Sequence, residues 1–580
     1  MCIFANNIAT NIFLINSNIN FFMKKNQLIL LSAAALALTS CSGKLGALSS
    51  DYFTVTPNPL ETEVGQVPAT ITGTFPAKYM KKKAVVSVIP QLRFNGQAVN
   101  GQGATFQGEK VLGNDQTISY AMGGRYDMKT SFAYQPEMQQ SELYLTFNAK
   151  VGNKSVSIPD VKVATGVIAT SELYKRTLTS ANPALAPDDF QRIVKQEQEA
   201  NIKFLIGQAN LRKSELQNNS VQEFVRLLKD IAAKQETLRL DNVEVTGFAS
   251  PDGGYDVNDR LASNRRAVAQ KYVDQQMKKT GAEGSIDTKY TAEDWDGFQK
   301  LVSASNIQDK DVILRVLSMY QDPEERESQI RNISSAFREL ADGILPQLRR
   351  SRLIANYEVI GRSDEQIIDQ LRSDAKQLSV EEILYAGGNL YAADADKAKE
   401  AFTKATQVYP NDARAYNNLA RLAFAKGDYT EARQMLDKAL GVDPSQAEAN
   451  ANKGMMALLN GDLSTAESLI AKAGSANGIK EVMGNLHLAQ GKFAQAEQDF
   501  DGVVSNSAGL AQLLNKNYQG ALNTLSRVKN ADGITDYLMA IASARSNKVS
   551  DAKNFLQKAI AKDPTLAAYA EKDIEMQAVK

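Results

Sequence analysis

Residues 243–273 read VEVTGFASPDGGYDVNDRLASNRRAVAQKYV, and their texture changes twice. Val243 and Val245 alternate with polar neighbours up to Gly247, which is the period of a half-buried strand. The run from Ser250 to Gly254 ends that strand with turn chemistry. Beyond it, Asn258, Leu261, Ala262, Arg265, Ala269 and Tyr272 recur at three- and four-residue spacings, so they share one helix face. Arg265 is thereby placed on a stripe that is otherwise mostly inward. An Arg there can lay its stem along the core and hold its head in water or on a local carboxylate, or it can serve a ligand.

The flanking residues extend the pattern. Ile202, Phe204 and Ile206 alternate as a first strand. Ser220-Val221-Gln222-Glu223 fits a capping box, and Val221, Phe224, Val225, Leu228 and Ile231 give the helix after it a buried stripe. A third strand is expected at Ile286 to Tyr290. A charged helical insertion is expected over residues 296–345, and alternating Leu353, Ala355, Tyr357 and Val359 supply a last strand. Trp295, the single Trp, is expected in the core.

Asn258-x-x-Leu261-Ala262-x-x-Arg265-Arg266, with Ala269 and Tyr272, resembles the helix signature of OmpA-like domains, and the loop from Gly247 to Gly253 resembles the form found in Bacteroidetes envelope proteins. The resemblance covers roughly residues 195–365. It implies non-covalent binding of peptidoglycan, with an Arg and an Asp gripping the diaminopimelate side chain of the stem peptide. Arg265 falls on the family Arg. The family Asp position is Ser250, which carries no charge, and Asp252 is the nearest substitute. The implied site is therefore Arg265, Asn258, Ser250, Asp252 and Gly247, with one of the two family charges missing.

In front of this domain, residues 51–167 are β in texture. Phe53-Thr54-Val55, Ala69-Thr70-Ile71, Ala84 to Ile89, Glu142 to Leu145 and Val156 to Ile158 are separated by turn residues, which predicts an antiparallel sandwich. Lys81-Lys82-Lys83 reads as a solvated turn. Residues 168–200, with ANPALAPDD and then a charged run, are expected to be a linker helix leading into the central domain at 201–362.

After Ser363 strands disappear. Ala398, Phe402, Ala405 and Pro410 return 34 residues later as Ala432, Leu436, Ala439 and Pro444, and the spacing recurs in Ala466, Ile470 and Ala473. Ala552, Leu556, Ala559 and Pro564 repeat the internal offsets. Small residues let paired helices approach, larger ones fill the layer between them, and Pro ends the second helix. This resembles the tetratricopeptide repeat, with Gly427-Asp428, Gly461-Asp462 and Gly491-Lys492 in the inter-helix turns. Later intervals shrink, so the middle of the array is irregular. The resemblance implies a concave groove for a peptide or partner helix. Asn417 and Asn418 are its candidate peptide-binding residues.

At the other end, Met23-Lys24-Lys25, an apolar run from Leu28 to Leu38 and Leu38-Thr39-Ser40-Cys41 resemble a bacterial lipoprotein signal peptide over residues 23–40. Residues 1–22 then read as a spurious extension, Cys41 as the lipidated residue and 41–50 as a tether. Several acyl chains on one residue anchor firmly, whereas one is marginal at about 0.8 kcal/mol per buried CH2. The expected location is the outer membrane, facing the periplasm.

Lys plus Arg and Asp plus Glu number 66 each, which leaves no basic field for nucleic acid. His487, the one His, falls among Leu486, Leu488 and Ala489, where packing is expected rather than catalysis or metal binding. No Cys pair, HExxH, GxSxG or P-loop pattern occurs, and neither an enzyme nor a cofactor is expected. The sequence thus predicts a multidomain chain: an N-terminal antiparallel β-sandwich, an α/β OmpA-like domain with a helical insertion, and a C-terminal α-solenoid of tetratricopeptide-like repeats over 363–580. The expected function is a non-enzymatic outer-membrane lipoprotein that associates with peptidoglycan and scaffolds another envelope protein. The alternative is a secretion or surface-assembly accessory whose OmpA-like domain no longer binds peptidoglycan.

Overall fold

The computed structural model describes residues 45–307, 309–332, 338–577 and 579. The expected spurious extension, signal peptide and lipidated Cys41 lie outside the described residues. The chain forms two compact units, one of Met1–Pro187 with Pro410–Lys580 and the other of Asp188–Tyr409.

In the first unit, strands Phe53–Thr56, Gln66–Phe75 and Gly124–Ala133 make a small sheet, and a larger sheet is built on Ala84–Phe94 and Ser141–Val151. Alternate side chains from both sheets, among them Val67, Ile71, Phe75, Val86, Val88, Met128, Phe132, Leu143 and Leu145, fill one core. This is a sandwich, because each strand has one apolar face to bury. It is not wholly antiparallel: Ala104–Gly108 pairs with Gln116–Ile118 in parallel, their connection crossing over instead of turning back as a hairpin.

The expected linker helix over 168–200 is largely absent. Residues Tyr174–Leu178 are helical, those after them are irregular, and Ile193–Lys203 is a strand, here β1. The charges of KQEQE, read as helical, belong to an edge strand, where solvent reaches the side chains. The strand therefore begins well before Ile202 and ends before Phe204, leaving Ile206 exposed.

Helix α1 (Asn219–Ala233), strand β2 (Leu238–Phe248), helix α2 (Tyr255–Thr280), strand β3 (Ser285–Thr291) and strand β4 (Arg350–Ile360) complete a sheet of order β1-β4-β2-β3. β2 and β3 are parallel and α2 connects them, as parallel pairing requires. Val221, Phe224, Leu228 and Ile231 of α1 and Ala269, Tyr272 and Val273 of α2 pack against Val243, Val245, Leu353 and Ala355 of the sheet. The cap of α1 is Asn218, which accepts from the Val221 N–H, not the Ser220 box; the Ser220 hydroxyl donates to Asn218 instead. The insertion is helical at Trp295–Ala304, Lys310–Met319 and Pro323–Asn332, with its own core around Phe298, Val302, Ile313 and Leu348. Trp295 is only partly buried, edge-on to Phe298 with Arg326 over its ring.

The division expected at residue 363 falls after Tyr409. Arg192 pairs with Asp364, Arg362 with Glu382 at 3.0 Å, and Phe190 packs on Tyr385 at 4.6 Å, so the helices up to Ala395–Val408 join the unit of the mixed sheet.

From Pro410 the chain is a succession of antiparallel helix pairs. The first helices of the pairs are α3 (Ala413–Ala425), α5 (Ala447–Leu459), α7 (Ile479–Ala489), α9 (Asn506–Leu514) and α11 (Gly533–Arg545). Their partners are α4 (Tyr429–Val442), α6 (Leu463–Lys472), α8 (Phe493–Asp499), α10 (Tyr518–Leu525) and α12 (Val549–Lys562). The short α6, α8, α9 and α10 account for the shortened sequence intervals. Gly427, Gly461 and Gly491 take φ of 77°, 75° and 74° in the inter-helix turns, a left-handed conformation that favours Gly.

Candidate functional site

The first helices of the repeats bury amides on their inner face. Asn417, Asn418 and Asn452 are 0%, 1% and 3% exposed. An amide so buried costs about 1–3 kcal/mol if left unpaired, so its partners matter. Here the partners are the chain's own main chain before Pro187. The Ala186 N–H donates to Asn418 Oδ1 at 2.9 Å, and Asn418 Nδ2 donates back to the Ala186 carbonyl at 3.0 Å. Ala184 is held the same way by Asn452, at 2.6 and 2.8 Å. Asn417 Nδ2 adds a bond to the Ala184 carbonyl at 3.1 Å, and Asn452 Nδ2 donates to Asn417 Oδ1 at 2.8 Å.

The rest of the segment follows the groove toward later repeats. Arg421 Nε donates to the Pro183 carbonyl at 3.1 Å, Asn506 Nδ2 to Ser180 Oγ at 3.0 Å, and Ser507 Oγ to Thr177 Oγ1 at 3.0 Å. Arg176 meets Asp563 at 3.5 Å. Leu178, Ala181 and Ala184 enter the core formed by Ala420, Phe424, Met455, Val482 and Leu486, while Leu173 joins Leu510, Tyr537 and Leu538. Glu481 on α7 is 4% exposed, and burial pushes its carboxyl up to about 7 against the opposing pull of Ser505 and the Asn182 backbone. The sequence reading named Asn417 and Asn418 as candidates but neither Asn452 nor the occupant, because ANPALAP reads as ordinary linker composition.

The central-domain residues divide into two groups. Arg265 is 1% exposed: Nε donates to the Gln208 carbonyl at 3.0 Å, one terminal nitrogen to Phe248 at 2.9 Å and the other to Leu205 at 3.4 Å. The Phe204 ring lies 5.4 Å from its guanidinium. Burial, reinforced by the charge of Arg349 and opposed by Asp252, lowers its pKa to about 10. Gly247 is needed for close packing, since a Cβ there would meet the Ala262 carbonyl at 2.2 Å. Asn258 Nδ2 donates to the Gly253 carbonyl at 2.8 Å and shapes the loop.

Ser250 and Asp252 instead gather around Arg349, a residue the sequence pattern did not single out. Arg349 donates to Ser250 Oγ at 3.2 Å and to Asp252 Oδ2 at 2.8 Å, and Ser250 donates to the other Asp252 oxygen. Arg331, from the insertion, donates to the Asp252 carbonyl at 3.1 Å. Neighbouring Arg350 pairs with Asp294 at 3.0 Å and lies over the Phe248 ring. In the first unit, His487 is buried and hydrogen-bonded to Asp499 within the repeats.

The C-terminal region is thus a helical repeat array with an extended segment in its groove. Residues 390–459 match the family model of the tetratricopeptide repeat. No curated protein matches the chain. Among solved structures, a chain of the APC/C hetero-tetramer Cut9-Hcn1 is 14% identical with a TM-score of 0.30, the match covering 37% of this chain and 45% of that one. A tetratricopeptide repeat protein from Parabacteroides merdae is 14% identical with a TM-score of 0.27, covering 37% of this chain and 90% of that one. Pseudomonas aeruginosa pilF is 17% identical with a TM-score of 0.27, covering 38% and 100%. A repeat array of this kind is consistent with a protein-interaction or scaffolding role. Among the described residues, no group of three or more His, Cys, Asp or Glu is arranged to hold a metal ion, and no helix is long and apolar enough to cross a membrane.

Proposed function

We propose that the protein is a non-enzymatic scaffold of the cell envelope, held at the outer membrane through a lipidated Cys41 and facing the periplasm. Its repeat array receives an extended segment of another envelope protein, and its OmpA-like domain acts as a spacer. The observation that carries the scaffold reading is the pairing of Asn418 and Asn452 with both main-chain groups of Ala186 and Ala184, which makes the groove a reader of extended backbone. The spacer role is supported by Arg265, whose donors meet three backbone carbonyls instead of facing a ligand.

A second reading keeps peptidoglycan binding. The Arg349–Asp252 pair favours it: the side chains remain 11% and 15% exposed, and a guanidinium beside a carboxylate can exchange its partner for the carboxylate and ammonium of diaminopimelate. Co-sedimentation of the chain with diaminopimelate-type sacculi separates the two. The spacer reading expects the protein to stay in the supernatant. Sedimentation abolished by Arg349→Ala, with the melting curve unchanged, would establish the second. Incorporation of a tagged fatty acid, lost in Cys41→Ser, tests the anchor.

A further inference from the structure

The segment in the groove is held in an unusual way. Among the described residues, positions 182–187 make no main-chain to main-chain hydrogen bond; side chains of the array provide their polar contacts. Pro183 and Pro187 have no N–H to satisfy. Leaving the groove would therefore break no helix or sheet. Ala184 and Ala186 are 3% and 2% exposed where the amides grip them, while Leu185 between them is only half-buried. The groove thus encloses the small side chains of Ala184 and Ala186 together with the Pro183 ring, and its amides read the backbone.

From these contacts we infer that the array's outside partner is a segment of the same chemistry, an extended, uncharged small-x-small stretch bracketed by prolines, and that it enters by displacing residues 182–187. The inference rests on the scaffold reading above and names the ligand class of that groove. The resident segment is tethered, at an effective concentration on the order of millimolar, so it screens out weak competitors. Exchange is favoured for a partner that presents several copies of the motif or is itself held close by.

The test uses the full chain and a fluorescein-labelled peptide of residues 179–188, TSANPALAPD, followed by anisotropy. Ala184→Arg with Ala186→Arg disengages the resident segment while leaving every groove side chain in place. This variant is expected to bind the peptide at least tenfold more tightly than the parent chain. Adding Asn418→Ala and Asn452→Ala should abolish that gain, and a peptide with Glu at the two Ala positions should bind neither chain. A folded double-Arg variant that ignores the peptide overturns the inference. So does loss of its cooperative melting, because a segment the fold cannot release is not exchangeable. Hydrogen exchange on the parent separates this failure from that of the scaffold reading: protected Ala184 and Ala186 amides leave the clamp standing, whereas unprotected ones remove both.

Discussion

Asn418 bonds both main-chain groups of Ala186, and Asn452, 34 residues further along, does the same for Ala184. One repeat is thus matched to two residues of extended chain. The polarity is antiparallel: Thr177 and Arg176, earlier in the segment, meet Ser507 and Asp563 in later repeats. A periodic protein surface reads a periodic backbone here, with alternate side chains turned into the array.

Asn418→Ala and Asn452→Ala should each destabilise the unit by about 1–3 kcal/mol: the first leaves the buried Ala186 N–H and carbonyl without partners, and the second leaves the Ala184 N–H without one while its carbonyl keeps only Asn417. Asn417 contacts both amides, so the double variant should depart from additivity. Urea unfolding of the two single variants and the double variant measures both effects.

Arg265→Ala should destabilise the mixed-sheet unit by about 3 kcal/mol or more, since three carbonyls lose their donor and a large buried side chain is removed. Arg265→Lys should recover only part of this, lacking the planar fork. Thermal melting of the full chain, followed at that unit's transition, gives the comparison.

Glu481 gives the array a pH dependence of definite sign. An ordinary Glu titrates near 4.5, and this one is pushed up to about 7 by burial, so between those values the folded state binds more protons than the unfolded one. Stability must then fall as pH rises through that window. Glu481→Gln should flatten the slope, matching the parent near pH 4 and exceeding it at pH 8. Asp573, pushed up to about 6 by burial, leaves a shallower residual slope of the same sign. Melting temperature against pH for parent and variant reads this directly.

Lys516 and Asn547 adopt φ of 66° and 57°, in the turns that follow α9 and α11. They occupy the place that Gly427, Gly461 and Gly491 hold in other repeats. A left-handed conformation costs an L-residue about 1–2 kcal/mol, and Gly avoids it at some cost in unfolded-state entropy. Lys516→Gly should therefore stabilise the array by about 0.5–1 kcal/mol in urea unfolding.

The same turns explain where the sequence was legible. Gly-Asp turns and 34-residue spacing exposed the first repeats, whereas Lys516 and Asn547 deprived the later ones of the turn signal and left only the offsets of Ala552, Leu556, Ala559 and Pro564. The strand Gly124–Ala133 buries Tyr126, Met128, Thr130 and Phe132 in strict alternation, a period-two signal legible in the sequence. β1 was obscured because an edge strand can carry Lys, Glu and Gln as freely as an exposed helix. In the central domain the helix face was readable from spacing, but the direction of the Arg265 head was not. That depends on carbonyls at 205, 208 and 248, which no local pattern brings together. The repeats pointed to Asn417 and Asn418 but not to Asn452, and the segment these amides hold lies more than two hundred residues upstream.

Amide hydrogen exchange at Ala184 and Ala186 in the intact chain tests the account most directly. Both N–H groups should be strongly protected, and Asn418→Ala with Asn452→Ala should remove that protection while the amides of α5 and α7 stay slow. Exchange of Ala184 and Ala186 at the rate of an unstructured linker in the parent chain would contradict it.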